Sequence, residues 1–209
     1  MLKLKVCGMK YPDNIRQLVK LQPDFIGFIF YDKSKRFVDN DLDISCLSIP
    51  ESIKKTGVFV NSSINDVTEK VKKYKLDLVQ LHGNESPEFC MELKNSGIKI
   101  TKAFQMDEDF YFDILSDYES VCDYFLFDTK TKQYGGSGNK FDWQLLEKYN
   151  NEKPFFLSGG IDLDDVEEIK KLKELNIYAI DINSKFEIRP AEKDINKIMT
   201  FMKALRNID

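Results

Sequence analysis

Eight short runs rich in β-branched and aromatic residues alternate with longer stretches of helical period, and this alternation constrains the fold more than any other feature of the chain. The runs are "LKLKVCG", "FIGFIF", "KTGVFV", "LDLVQLHG", "IKITKAFQ", "YFLFDT", "PFFLSGG" and "YAIDIN". Between them lie "DNIRQLVKLQ", "INDVTEKVKKYK", "SPEFCMELKNSG", "FDWQLLEKY" and "LDDVEEIKKLKEL". In the second of these, Ile64, Val67, Val71 and Tyr74 fall at i, i+3, i+7 and i+10, one face of a helix. In the third, Ser86 is expected to cap the N-terminus and Pro87 to take the first helical position. "KDINKIMTFMKALRNI" predicts a last amphipathic helix. Eight βα units without a linker or a break in composition predict one α/β domain over residues 1–209, a single (β/α)8 TIM barrel. A doubly wound open sheet is the other arrangement of such units, but it rarely carries eight regular repeats in so short a chain.

Composition narrows the partners. The formal net charge of −4 gives no basic field for nucleic acid, and the lysines are interleaved with Asp and Glu as on solvated helix faces. No segment approaches the ~18 apolar residues of a membrane span, and the N-terminus reads as a strand rather than a signal peptide. A cytoplasmic location is expected. Cys7, Cys46, Cys90 and Cys122 form no CxxC pair and are too dispersed for a disulfide framework or zinc knuckle, so reduced thiols are expected.

A barrel assigns an address to each residue, because its chemistry sits where strands end and βα loops begin. The strand ends carry Cys7-Gly8, Phe30-Tyr31, Asn61, His82-Gly83, Gln105, Asp128-Thr129, Ser158-Gly159-Gly160 and Asn183-Ser184. Asp128 closes an apolar strand, where partial desolvation of a carboxyl suits it to donate a proton; it could equally cap the following loop. Cys7, with an unperturbed pKa of about 8.5, can act as base or nucleophile, or fill space as a small apolar residue. His82 is the sole histidine, which leaves a structural hydrogen-bonding role or a substrate-orienting one and excludes a histidine-rich metal site. Arg36, in a short loop beside aromatic residues, can hold a carboxylate bidentately or lie on the surface. Gly135, Gly136 and Gly138 form a flexible "GGSG" suited to a lid, a weak signal alone. Gly159-Gly160 in "LSGGID" opens a helix after the seventh strand, where barrels often build a phosphate site.

Together these residues resemble the phosphoribosylanthranilate isomerase family. "KVCGMK" is similar to that family's first-strand motif, and "IGFIFYDKSKRFV" to its second block. "GVFVN", "VQLHGNE", "FDT", "GGSGNKFDW" and "LSGGIDLDDV" follow in the family's order, so the resemblance covers essentially the whole chain. It implies an Amadori rearrangement of N-(5-phosphoribosyl)anthranilate to 1-(2-carboxyphenylamino)-1-deoxyribulose 5-phosphate, in tryptophan biosynthesis. By the same resemblance Cys7 is the general base and Asp128 the general acid. Arg36 pairs the anthranilate carboxylate, Asp181 orients the anthranilate amino group, and Gly159, Gly160, Asn183 and Ser184 hold the phosphate. No metal or organic cofactor is implied. The partner is a small phosphosugar substrate, with no nucleic acid and no membrane, and the protein is expected to be a monomer or a homodimer.

The eighth strand end departs from the family pattern. This chain reads "DINSKFE", with Lys185 where glycine is usual, and the following "RPAEKD" has Ala191 where glycine is usual. Lys185 either points to solvent or brings its ammonium to the phosphate. Two competing readings are the related aminoaldose isomerase of histidine biosynthesis, which uses two aspartates, and a phosphate-binding barrel without catalysis. Cys7 argues against the first, and the set Cys7, Asp128 and Arg36 against the second.

Overall fold

The computed structural model describes residues 2–39, 42, 44–130, 140–150 and 152–206. Eight parallel strands close on themselves in sequence order. They are β1 Lys3–Val6, β2 Phe25–Ile29, β3 Lys54–Phe59, β4 Leu78–Leu81, β5 Ile100–Met106, β6 Tyr124–Thr129, β7 Phe155–Leu157 and β8 Ile177–Ile182. Each falls on one of the runs read from sequence, with β3, β5 and β8 reaching one residue beyond theirs, at Lys54, Met106 and Ile177. Closure is made by β1 against β8, with Lys5 opposite Asp181 and Val6 opposite Ile182. The barrel expectation therefore holds strand for strand.

Side chains alternate between two environments, as the strand period requires. One set, including Leu4, Val6, Ile26, Phe28, Val79, Leu81, Phe125 and Phe127, packs outward in the main core shared with the helices. The other set points into the barrel. Its lower layer is Phe25, Leu78, Ala103, Leu126, Phe156 and Ala179, and an upper layer joins Cys7, Ile29 and Val58. Lys5, Thr56, Gln80 and Asp181 are also buried, so the barrel is not apolar throughout. Burying each large apolar side chain contributes roughly 1.5–3 kcal/mol, enough in aggregate to carry such polar insertions.

The outer layer is less regular than the sequence suggests. Helices α1 Pro12–Val19, α2 Ile64–Tyr74 and α3 Pro87–Asn95 follow strands one, three and four. Ser86 accepts from the Phe89 N–H and Pro87 opens α3, as expected, and Ser63 caps α2 in the same way. On α2, Val67 and Tyr74 are buried and Ile64 and Val71 pack against the core. A single helical turn, α4 Ser116–Glu119, follows strand five. The "FDWQLLEKY" stretch, expected as an α-helix, is a 3-10 helix over Trp143–Lys148. Its buried residues Trp143, Leu146 and Tyr149 are spaced by three, which suits three residues per turn better than 3.6. "LDDVEEIKKLKEL" likewise begins as a 3-10 turn and continues as α5 Val166–Lys171. The last helix, α6, spans Ile195–Arg206.

Between β8 and α6 the chain forms a two-stranded hairpin, β9 Glu187–Arg189 and β10 Glu192–Lys193, which no sequence signal announced. Its turn holds Ala191 in the left-handed region at φ 70°, the conformation glycine would take without a Cβ penalty. Lys185 has no such conformation: it is exposed, and its carbonyl accepts from Lys197. Among the described residues no helix is long and apolar enough to cross a membrane.

Candidate active site

A cavity opens at the C-terminal ends of the strands. Cys7, His82, Asp128, Gly159, Gly160, Asp181, Asn183 and Ser184 all line it, so strands one, four, six, seven and eight each deliver an expected residue. Arg36 is not among the residues that line it, although a Cβ on Gly8 would touch both Arg36 and the lining residue Asn183. Gly135, Gly136 and Gly138, the expected lid, lie outside the described residues.

Cys7 is buried at the end of β1 with Lys5 below it on the same face. Lys5 is fully buried, and its ammonium donates to Asp181 Oδ2 and to Gln80 Oε1, each at 2.7 Å. Burial pushes the Cys7 thiol above its ordinary value, against the opposing pull of Lys5. Burial would lower Lys5, but Asp181 and Cys7 more than reverse this and hold it above its ordinary value. Asp181 is raised by burial despite the pull of Lys5. Asp181 Oδ1 is buried without a hydrogen-bond partner among the described residues, an acceptor left over in a cavity wall.

Two glycines give Cys7 its setting. A Cβ on Gly27 would lie 2.8 Å from Cys7 Sγ and 3.0 Å from Cys7 Cα, so β2 must be bare there. Gly8 turns the chain at φ +76°, and a Cβ on it would meet Arg36 Cδ at 2.6 Å and Asn183 Oδ1 at 2.9 Å. Only glycine satisfies both the backbone and the approach.

Arg36 is not a free cation. Its Nε and Nη2 donate to Glu187 Oε1 and Oε2 at 2.8 and 2.6 Å, a bidentate pair that fixes the guanidinium plane. Burial raises Glu187, but Arg36 and Lys193 more than reverse this and hold it below the ordinary carboxylate range. Lys193 is fully buried and donates to Glu187 Oε1 and to Asn183 Oδ1, both at 2.7 Å. Burial lowers Lys193 to about 8, Glu187 only partly opposing it. The hairpin after β8 thus anchors both Arg36 and Asn183.

At the opposite side of the cavity, Asp128 Oδ1 accepts from the Thr129 N–H at 2.9 Å. Its Oδ2 lies 3.2 Å from His82 Nε2, and His82 Nδ1 lies 2.8 Å from Gln80 Nε2. Gly159, at φ +94°, passes so close that a Cβ would lie 3.2 Å from Asp128 Oδ1. Among the described residues, the backbone N–H groups of Gly159, Gly160 and Ser184 have no protein acceptor.

Sequence reasoning missed Lys5, Gln80, Gly27, Glu187 and Lys193. Strand alternation already put Lys5 on the face of Cys7 and Gln80 on the face of His82, and that period-two signal could have found both. Glu187 and Lys193 lie in the "DINSKFE" and "RPAEKD" stretches, but nothing local marks their pairing with Arg36 and Asn183.

A thiol, a carboxyl, a spare buried acceptor and free backbone donors facing one cavity at a barrel's C-terminal rim define a (β/α)8-barrel enzyme site for an anionic small molecule. The family model described as N-(5'-phosphoribosyl)anthranilate isomerase matches residues 4–204. The N-(5'-phosphoribosyl)anthranilate isomerase of Parabacteroides distasonis is 46% identical over 204 residues, covering 97% of this chain and 92% of that protein. The crystal structure of phosphoribosyl anthranilate isomerase from Thermotoga maritima superposes with a TM-score of 0.85 at 30% identity, covering 99% of this chain and 100% of that one. A phosphoribosyl anthranilate isomerase in complex with reduced 1-(o-carboxyphenylamino)-1-deoxyribulose 5-phosphate gives a TM-score of 0.84 at 27% identity, covering 99% and 100%. The chain belongs to the N-(5'-phosphoribosyl)anthranilate isomerase family and is an isomerase.

Proposed function

We propose that the protein converts N-(5-phosphoribosyl)anthranilate to 1-(2-carboxyphenylamino)-1-deoxyribulose 5-phosphate, a step of tryptophan biosynthesis in the cytoplasm. Asp128 is the general acid and Cys7 the general base. The observation that carries this reading is the convergence of Cys7, Asp128 and the unpartnered Asp181 Oδ1 on one cavity. Asp128 protonates the furanose ring oxygen, which opens the ring to a Schiff base. Cys7 then removes the proton from the sugar C2, and the enolamine tautomerises to the ketone. A thiol pushed up by burial is a strong base once deprotonated, and Lys5 lies where it offsets the charge of the thiolate.

Asp181 Oδ1 accepts the anthranilate N–H, which supplies its missing partner. The guanidinium of Arg36, braced by Glu187, offers its remaining N–H groups to the anthranilate carboxylate. Backbone N–H groups of Gly159, Gly160 and Ser184, with Asn183, hold the phosphate, while Lys185 stays in solvent. The chemistry is acid–base throughout and uses side chains of the barrel alone.

The test is steady-state turnover of freshly made phosphoribosylanthranilate by Cys7→Ala and Asp128→Asn. Each is expected to lower kcat by about 10²–10⁴-fold with KM little changed. Near wild-type turnover in either variant removes that residue from its role.

A further inference from the structure

Gln80 is 2% exposed, projects from the middle of β4 into the barrel, and its side-chain amide bonds to Lys5 and His82 rather than to the proposed acid or base. Its amide nevertheless lies between them. The atom facing Lys5 must be the carbonyl oxygen, because an ammonium has donors only. The atom facing His82 is therefore the NH2, 2.8 Å from Nδ1. An amide nitrogen also has donors only, so Nδ1 must accept and cannot carry a proton. The neutral ring then bears its proton on Nε2, the nitrogen 3.2 Å from Asp128 Oδ2. Amide and imidazole orientations usually remain open choices, but here the polarity is set from one end by a buried cation. Asp181 fixes Lys5, Lys5 fixes Gln80, Gln80 fixes His82, and the protonated nitrogen of His82 is the one beside Asp128.

We infer that Gln80 is a positioning residue that locks His82 in its Nε2–H tautomer, so that the ring acts as a hydrogen-bond donor to the carboxylate of Asp128. When Asp128 has given its proton to the sugar, the carboxylate keeps the Thr129 N–H on Oδ1 and has the protonated His82 Nε2 beside it, 3.2 Å from Oδ2. His82 is thereby excluded as a competing base at Nε2, since that nitrogen is already protonated. N–H groups beside both carboxylate oxygens stabilise the negative charge that develops on Asp128 as the ring opens. The catalytic part of this inference rests on Asp128 being the acid, whereas the tautomer itself rests on the geometry alone.

His82 is the only histidine in the chain, so its ring nitrogens can be observed without assignment ambiguity. Long-range proton–nitrogen correlation spectra of uniformly 15N-labelled protein, recorded where the ring is neutral, report which nitrogen is protonated. Wild type is expected to show Nε2–H with a bare Nδ1. In Gln80→Glu the new carboxylate accepts from Lys5 and also demands a proton on Nδ1, so the spectrum should move to a protonated Nδ1. Turnover of phosphoribosylanthranilate by that variant should fall roughly ten- to a hundredfold in kcat with little change in KM, the effect of losing a hydrogen bond to a charged group. Gln80→Met, which releases the ring without reversing it, should give mixed tautomers and a smaller loss. A wild-type spectrum with Nδ1 protonated overturns the lock, and so stands even if a variant does not fold. A shifted tautomer with unchanged kcat overturns the role in turnover. A fall in kcat with the tautomer unmoved also overturns it, because Gln80 would then be acting through packing. Full activity in Asp128→Asn would instead remove the acid assignment and leave the spectroscopic test of the lock standing.

Discussion

Replacing Lys5 with methionine tests the polar interior of the barrel most directly. The Lys5 and Asp181 side chains are only 1% and 4% exposed and lie 2.7 Å apart, so neither has water to fall back on. At an effective dielectric of ~20, two unit charges at that distance attract by about 6 kcal/mol, and desolvation of both ions cancels much of it. Removing one partner of such a pair is the costly case, because the other charge stays buried. That costs about 3–5 kcal/mol. With a urea m-value of roughly 2–3 kcal/mol/M, Lys5→Met should move the unfolding midpoint down by roughly 1–2 M. The loss should depend on pH with a definite sign. Burial already raises Asp181, and without Lys5 it rises further. The folded variant then binds more protons than its unfolded chain above the unfolded carboxylate value, so its stability falls as pH rises. The gap to wild type should narrow as pH is lowered. Adding Asp181→Asn to Lys5→Met removes the stranded charge and should recover part of the loss. Urea curves by circular dichroism on the four proteins of the cycle measure all of this. A midpoint for Lys5→Met indistinguishable from wild type, or a double variant weaker than the single one, would refute the reasoning.

Two further outcomes follow from the same neighbourhood. Gly27→Ala puts a Cβ against the Cys7 backbone as well as its thiol, and a backbone cannot swing aside; kcat should fall by up to about 10²-fold, with a stability cost of about 1–3 kcal/mol. Steady-state kinetics with thermal unfolding checks both, and wild-type kcat would show that the barrel yields there. Lys193 titrates at about 8 when folded against its ordinary 10.5, so the unfolded chain binds more protons between those values and burial of the ammonium costs stability below them. The stability of wild type relative to Lys193→Met should climb by up to about 3 kcal/mol as pH rises from about 8 to about 10.5, read from paired urea curves. A flat difference would mean that Glu187 and Asn183 fully offset the burial.

Much of this protein is legible in its linear sequence because its repeat is local. Strand runs such as "YFLFDT" and "LDLVQLHG" announce themselves by β-branched and aromatic content, and eight of them with helical stretches between leave few architectures open. The strand-end rule then picked out Cys7, His82 and Asp128 as cavity residues, since a strand's end necessarily meets the βα loops, whereas Asp181, one residue before the end of β8, came only from the family resemblance. Helix type was less legible: "FDWQLLEKY" has helical composition, and its 3-10 winding comes from anchoring Trp143, Leu146 and Tyr149 in the core at a spacing of three. What the sequence could not contain was which interior group meets which. Lys5 meets Asp181 only because the barrel closes β1 onto β8, bringing together residues 176 apart. Arg36 meets Glu187 across 151 positions through a hairpin with no local signature. Gly27 is needed only because Cys7 stands across from it. Local chain chemistry determines the elements and their inward and outward faces. The pairing of charges and the direction of each hydrogen bond inside the barrel are decided only when closure removes the water that would otherwise have served every one of those groups equally well.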